Sequence, residues 1–222
     1  MHTRWSSKFG EYPAGDPELH HVAGALYAEE HEPYEAEKHL IIGTRDSAEI
    51  LAKMEYTWYK EGDAHLAPQF AARAVLPYLL VGNVRAANTS YRLFTSALST
   101  DNAGLNVQDV STSNSDIRVF PSLPLLNFLG LLLLAVQRGA PEVFKGLLSK
   151  YATQINEAEI PWAEPLEMIG EMYFGIAKPR QSNPLMDMMS GLFGGAGGAG
   201  GAPKQRRPGL RAADGPAPAG LD

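Results

Sequence analysis

Histidine is the residue type in this chain that comes closest to a catalytic or metal-binding pattern. Four of the six histidines lie close together in the sequence: His20, His21, His31 and His39. A zinc hydrolase helix places two histidines four residues apart, with a glutamate beside the first, so that both rings face one metal ion. His31 and Glu32 begin such a pattern, but Pro33 follows and position 35 is not a histidine. The sequence therefore predicts hydrogen-bonded or solvent-facing histidines and no metal site.

Glutamates surround these histidines. The cluster consists of Glu29, Glu30, Glu32, Glu35 and Glu37. Two close carboxyl groups can act as general acid and general base, but a run of like charges is more typical of a solvated edge. Nowhere does the sequence group a nucleophile, a base and oxyanion donors in a recognisable pattern. We therefore predict that the protein is not an enzyme and has no catalytic residue.

Composition excludes several further classes of function. The formal charge of −6 and the pI near 5.5 are unsuited to nucleic acid, whose phosphates require a basic face. The chain has no cysteine, which excludes disulfides and cysteine zinc fingers and suits a reducing compartment. Residues 195–200 match the glycine pattern of dinucleotide sites, but no predicted strand precedes them, so we expect no cofactor. The amino terminus has no apolar signal segment, and we expect a cytosolic protein.

Apolar residues recur with the spacing of amphipathic helices along most of the chain. Helical pairs are predicted to begin near Asp16, Asp46, Asn83 and Ala140, and each start is marked by a capping residue or a turn. Once an insertion is discounted, the interval between pairs is about 30 to 40 residues, as in tetratricopeptide repeats. The predicted fold class is therefore all-α, an α-solenoid of tetratricopeptide-like helical hairpins.

Three segments are predicted from the composition. Residues 1–15 are a linker or the truncated start of a longer solenoid, and residues 16–177 form the solenoid. Residues 178–222 are rich in glycine, proline and alanine, so we predict a disordered tail. The long apolar run Leu123–Val136 is shorter than the roughly 20 residues that cross a bilayer. We interpret it as a buried helix and expect no direct membrane span.

A polar insertion at residues 100–121 interrupts the helical array. Short alternating runs on both sides of a Ser/Thr/Asn turn predict a β-hairpin, which is marginally stable unless it lies against something. One interpretation is that it packs on its own solenoid, and the other is that it binds a partner; both can hold together. The candidate partner-binding residues are Val107, Val110, Ile117, Val119, Phe120 and Leu123. Among them we expect Phe120 to be the main anchor, since central aromatic residues dominate many interfaces.

Several long runs carry a resemblance to a known family. They are D-P-E-L-H-H, Y-E-A-E-K-H-L, A-A-R-A-V-L-P-Y-L-L-V-G-N, P-S-L-P-L-L-N-F-L-G-L-L-L-L-A-V-Q-R-G, I-G-E-M-Y-F-G-I and P-R-Q-S-N-P-L. In this order they closely resemble the fungal Golgi-to-ER traffic protein four family, over residues 4 to 193. These proteins are cytosolic scaffold subunits of the guided-entry pathway for tail-anchored membrane proteins. The resemblance implies an α-solenoid without enzymatic activity.

The resemblance also implies two partners. Family members bridge a targeting ATPase, bound by their amino-terminal half, and a ubiquitin-like-domain protein, whose amino-terminal extension is held by their carboxy-terminal half. This chain opens with R-W-S-S-K-F-G-E-Y-P, which is similar to the middle of a family member. We therefore expect the ubiquitin-like partner to bind near the insertion and the ATPase-binding helices to be absent. The alternative is a generic helical-repeat subunit that binds an unrelated peptide.

Overall fold

Helices form most of the described chain. In the computed structural model of the protein, the described residues are 7–8, 12–112 and 115–177, with the side chains of residues 111–117 excepted. The α-helices from residue 12 onwards are α1 (Pro17–Glu29), α2 (Pro33–Leu40), α3 (Ser47–Tyr59), α4 (Ala67–Leu80), α5 (Val84–Asp101), α6 (Pro124–Arg138), α7 (Pro141–Lys150), α8 (Ala152–Asn156) and α9 (Ala163–Phe174). Short 3-10 turns occupy Ala64–Leu66 and Ala103–Leu105.

A two-stranded antiparallel sheet lies between α5 and α6. Its strands are β1 (Gln108–Thr112) and β2 (Ser115–Val119). The register pairs Gln108 with Val119 and Val110 with Ile117. The predicted all-α array with one hairpin insertion is therefore confirmed.

The helix boundaries follow local sequence signals at several places. The Asp16 carboxylate accepts a hydrogen bond from the Glu18 N–H at 2.9 Å and caps α1, and Pro17 occupies the first helical position. Gly139 ends α6 with φ of 56°, a conformation in which a side chain would be strained. At α3 the expected cap is wrong, because Asp46 has helical dihedral angles and its side chain makes no capping hydrogen bond.

The core is continuous along the array. Most helices pack against the next one or two helices along the chain, and the core is made largely of Leu, Ala and aromatic side chains. The apolar run is confirmed as the buried helix α6, with Phe128 and Leu129 fully enclosed. Burial of such side chains is worth roughly 1.5 to 3 kcal/mol each. Within the described ranges, no helix has the combined length and apolar character needed to cross a membrane.

The last described helix packs back onto an earlier one. α9 contacts α4, and the Tyr173 hydroxyl donates a hydrogen bond to the Leu79 carbonyl oxygen at 2.7 Å. Gly170 lets α9 approach the ring of Phe144 on α7 closely. The predicted start, residues 1–15, is described only at residues 7–8 and 12–15, and the predicted tail lies outside the described residues, so both boundaries stay predictions.

Candidate partner interface

The histidines form a structural pair. His20 is buried, and its Nδ1 lies 2.8 Å from Nδ1 of His39, while its Nε2 lies 3.1 Å from the Ala14 carbonyl oxygen. One ring of the pair must donate and the other accept, so only one of the two Nδ1 atoms carries a proton in this contact. Burial and the neighbouring His20 lower the pKa of His39. Across the described residues, no three His, Cys, Asp or Glu side chains meet as a metal site would require.

Only part of the glutamate cluster is a solvated edge. Glu29, Glu30 and Glu32 are exposed, but Glu37 is largely buried and holds Arg73 through two hydrogen bonds. The Arg73 Nε donates to Glu37 Oε1 at 2.6 Å, and Nη2 donates to Oε2 at 2.7 Å. For Glu37 the expectation of a solvated carboxylate is therefore wrong, because a guanidinium from α4 pairs with it inside the protein.

A second carboxyl group completes this network. Glu55 on α3 is fully buried, and its Oε2 lies 3.5 Å from Arg73 Nε. Neither of its carboxyl oxygens has a hydrogen-bond partner among the described residues. Burial, followed by the proximity of Glu37, raises the pKa of Glu55 well above its usual value. Arg73 also lies over the rings of Trp58 and Tyr34, at 4.6 and 5.0 Å from their centroids. The network joins α2, α3 and α4 and is structural.

The hairpin has two distinct faces. Paired residues and residues two apart along a strand share a face, so the register places Val110 and Val119 on one face and Asp109 and Arg118 on the other. Val110 is 48% exposed. Arg118 Nε lies 3.4 Å from Asp109 Oδ1 across the strands. One face is thus apolar and the other charged.

The base of the hairpin is fixed to α6. Phe120 is fully buried, and its backbone N–H donates to Asn127 Oδ1 at 2.8 Å. The Asn127 Nδ2 in turn donates to the Phe120 carbonyl oxygen, also at 2.8 Å. Leu123, the residue before α6, is buried in the same core. The second strand therefore leads directly into the main apolar helix.

The six candidate partner-binding residues are divided by this arrangement. Phe120 and Leu123 are buried in the core, and Val107 packs against it. A fully buried ring cannot contact a partner unless the fold opens, so Phe120 contributes by holding the hairpin in place. Val110 is open to solvent and Val119 is half-buried, while the side chain of Ile117 lies outside the described residues. Of the described side chains, Val110 and Val119 are the ones available to a partner.

Another apolar surface lies at the first helices. A groove of about 540 Å³ between α1 and α3 is lined by Ile50, Met54 and Trp58, among others. Leu19 and Leu26 on α1 are exposed. Its lining also includes the charged or titratable side chains Glu29, His31, Lys53 and Glu61.

Two features were not predicted from the sequence, although each has a signal there. Asn127 is a polar residue within the apolar run of α6, and Arg73 stands alone in the run Ala71–Val75. A lone polar residue on a buried helix needs a hydrogen-bond partner, because burying it unpaired is costly. That signal shows that a partner exists, but it does not say which residue the partner is.

Comparisons with known proteins agree on one family. The family model described as Golgi to ER traffic protein 4 matches residues 2–193. The "Golgi to ER traffic protein 4" of Aspergillus fumigatus is 58% identical over 192 residues, covering 86% of this chain and 55% of that protein. The protein of the same name from Schizosaccharomyces pombe is 35% identical over 193 residues, covering 86% of this chain and 61% of its own length.

A solved structure gives the same result. The crystal structure of "C. therm. Get4" superposes with a TM-score of 0.78 at 59% sequence identity, covering 91% of this chain and 65% of that chain. At this identity the likeness extends to sequence as well as fold. The chain spans about half the length of the relatives it matches, with 55% of the first and 61% of the second.

Proposed function

Because the chain belongs to the Golgi to ER traffic protein 4 family, we propose that it is a cytosolic scaffold subunit in the targeting of tail-anchored membrane proteins to the endoplasmic reticulum. Its role is to hold a ubiquitin-like-domain protein of the guided-entry pathway by the amino-terminal extension of that partner. The role requires binding and no chemical step.

One observation carries this proposal most directly. The hairpin presents Val110, 48% exposed, on a two-stranded sheet that is fixed to the core through Phe120 and Asn127. Each strand pairs on one side only within the described sheet, so an extended segment can add to it or lie across its apolar face. A firmly held surface loses less entropy on binding than a mobile loop. The hairpin is therefore suited to holding an extended partner segment.

The targeting ATPase is a separate question. Family membership suggests that the scaffold bridges this ATPase to the ubiquitin-like protein, with the ATPase bound by the amino-terminal half of family members. This chain matches about half of the length of its relatives. We therefore propose only the ubiquitin-like partner for the described surface, and the ATPase is titrated on its own.

Isothermal titration with the amino-terminal extension of the ubiquitin-like partner from the same source tests the proposal. Val110→Asp places a charge on the apolar face and should weaken binding about tenfold or more, the effect of losing roughly 1.4 kcal/mol. Val143→Asp is the matched control, because Val143 is 52% exposed on α7, away from the hairpin. Circular dichroism should show that both variants fold like the unaltered chain.

The outcomes separate the candidate functions. Binding that Val110→Asp weakens and Val143→Asp preserves supports the partner-holding scaffold. Binding that is equally strong in both variants would move the interface away from the hairpin. No binding by the unaltered chain would overturn the proposal and leave the generic peptide-binding subunit as the better alternative.

A further inference from the structure

A basic cleft separates α5 from the charged face of the hairpin. Its volume is about 260 Å³, and Arg92 of α5 and Arg118 of β2 are both in its wall. Among the described side chains, the wall also includes the hydroxyls of Thr89 and Ser96 and no carboxylate. The chain as a whole carries a formal charge of −6. This wall is therefore opposite in charge to the molecule that surrounds it.

The two guanidinium groups are incompletely paired. Arg92 makes no ion pair with any other described residue and is exposed. Arg118 has one neighbouring carboxylate, Asp109, at 3.4 Å, and its side chain remains 40% exposed. A guanidinium has five N–H donors, so each arginine retains donors that can point into the cleft. These unpaired N–H donors are suited to an oxygen anion.

The floor of the cleft is rigid. The Tyr91 hydroxyl donates to the Leu126 carbonyl oxygen at 3.0 Å and so ties α5 to α6. The Thr95 hydroxyl donates to the Tyr91 carbonyl oxygen at 2.8 Å. Burial raises the pKa of Tyr91, an effect that the positive charge of Arg118 partly offsets, and both residues line the cleft. A cleft on such a floor can recognise an anion without first becoming ordered.

We infer that this cleft binds the carboxylate of an acidic residue in the partner segment that docks on the hairpin. The inference rests on the proposed function, because it names a contact of the same bound segment. Arg118 belongs to β2 and lies on the charged face, which borders the cleft. A segment that adds to an edge of the hairpin turns alternate side chains to the two faces, so it can present one residue to the apolar face and the next to the cleft. The apolar face supplies contact area, and the two arginines fix the position of the segment by charge-assisted hydrogen bonds.

The test uses the full chain and the unmodified, synthetic amino-terminal extension of the ubiquitin-like partner, which contains no phosphoryl group. Arg92→Glu reverses the charge and should weaken binding about tenfold or more, while Arg92→Gln should weaken it about threefold or more. Arg85→Glu is the matched control, since Arg85 is exposed on the same helix but outside the cleft. Arg118→Gln should reproduce the effect of Arg92→Gln from the other wall.

A salt series and an amide scan identify the group that binds. Raising the salt concentration from about 50 to about 300 mM should weaken the binding of the extension to the unaltered chain more than its binding to the Arg92→Gln variant. Each Asp and Glu of the extension is replaced in turn by its amide. At one position, the loss of binding free energy caused by this replacement should not add to the loss caused by Arg92→Gln. That position supplies the carboxylate.

The failure of this inference differs from the failure of the proposed function. If the extension binds the unaltered chain and Arg92→Glu binds equally well, the cleft has no part in recognition, although the scaffold proposal stands. A similar loss in Arg92→Glu and Arg85→Glu would indicate general charge repulsion and would also overturn the inference. If the unaltered chain does not bind the extension, both proposals are wrong.

Discussion

The side-chain amide of Asn127 satisfies both backbone polar groups of Phe120. The Phe120 N–H donates to Asn127 Oδ1, and Asn127 Nδ2 donates to the Phe120 carbonyl oxygen, each at 2.8 Å. The amide thus takes the place of a neighbouring strand at the point where β2 ends and the chain turns into α6. The ring of Phe120 is enclosed at the same place. A single helical residue therefore connects the candidate interface to the core.

We expect Asn127→Ala to lower the free energy of unfolding by about 1 to 3 kcal/mol, because two buried backbone groups lose their partners. Asn127→Asp should destabilise as well, since a carboxylate cannot donate to the Phe120 carbonyl. Hydrogen exchange should become faster in residues 108–119 than in α4. Gln137→Ala, at an exposed position of the same helix, is the control. Equal stability of Asn127→Ala and Gln137→Ala would contradict the prediction.

The contact between Tyr91 and Gly130 leads to a second prediction. A Cβ atom on Gly130 would lie 2.6 Å from the Tyr91 hydroxyl oxygen. Gly130→Ala should therefore push α5 and α6 apart and cost about 1 to 3 kcal/mol, despite the better helix propensity of alanine. Gly146→Ala is the matched control, because no atom lies within 4 Å of a Cβ there.

Chemical denaturation gives the free energy of unfolding of both glycine variants for comparison. Gly146→Ala should be neutral or stabilise α7 by up to roughly 1 kcal/mol, which is the propensity effect alone. The difference between the two variants then measures the clash. Stabilisation by Gly130→Ala would show that Tyr91 can move aside at little cost.

Periodicity and local turn chemistry were sufficient for most of the fold. The Asp16 cap, the Gly139 helix end and the hairpin before α6 each depend on residues that are close in sequence. The position of Phe120 could not be predicted in this way. An aromatic residue at the end of an alternating strand has the same pattern whether it faces a partner or its own core.

Contacts between residues that are distant in the sequence could not be predicted either. Arg73 and Glu37 belong to different helices, and nothing in their spacing specifies the two hydrogen bonds that they share. The acidic cluster predicted a solvated edge from charge density alone, which is right for Glu30 and wrong for Glu37. The side chain whose exposure matters most for the candidate interface, Val110, is likewise fixed by tertiary packing.

The histidine pair should make the fold sensitive to acid. Burial and His20 lower the pKa of His39 below its usual value of 6.5. As the pH falls through about 6.5, the unfolded chain binds a proton that the folded chain resists, so stability is lost toward low pH. His39→Gln should reduce the change in the free energy of unfolding between pH 7.5 and 5.5. His65 has an exposed ring, so His65→Gln should lose as much stability at low pH as the unaltered chain does.

Urea denaturation at several pH values measures this effect. The 2.8 Å contact between the Nδ1 atoms of His20 and His39 holds the His39 ring in place inside the fold. If His39→Gln lost as much stability between pH 7.5 and 5.5 as the unaltered chain, other titrating groups would be the cause.

Glu55 should make the free energy of unfolding depend on pH in the opposite direction. Burial raises the pKa of this carboxyl above its usual value of 4.5. Below that value both states are protonated; as the pH rises, the unfolded chain releases its proton first, so the Glu55 contribution falls with increasing pH. Glu55→Gln cannot titrate, and its stability relative to the unaltered chain should rise with pH above about 4.5, by at most about 1.4 kcal/mol per pH unit. Glu49→Gln, an exposed position on the same helix, should track the unaltered chain. If the stability of Glu55→Gln relative to the unaltered chain fell as the pH rose, the pairing of an ionised Glu55 with Arg73 would outweigh its burial in the folded protein.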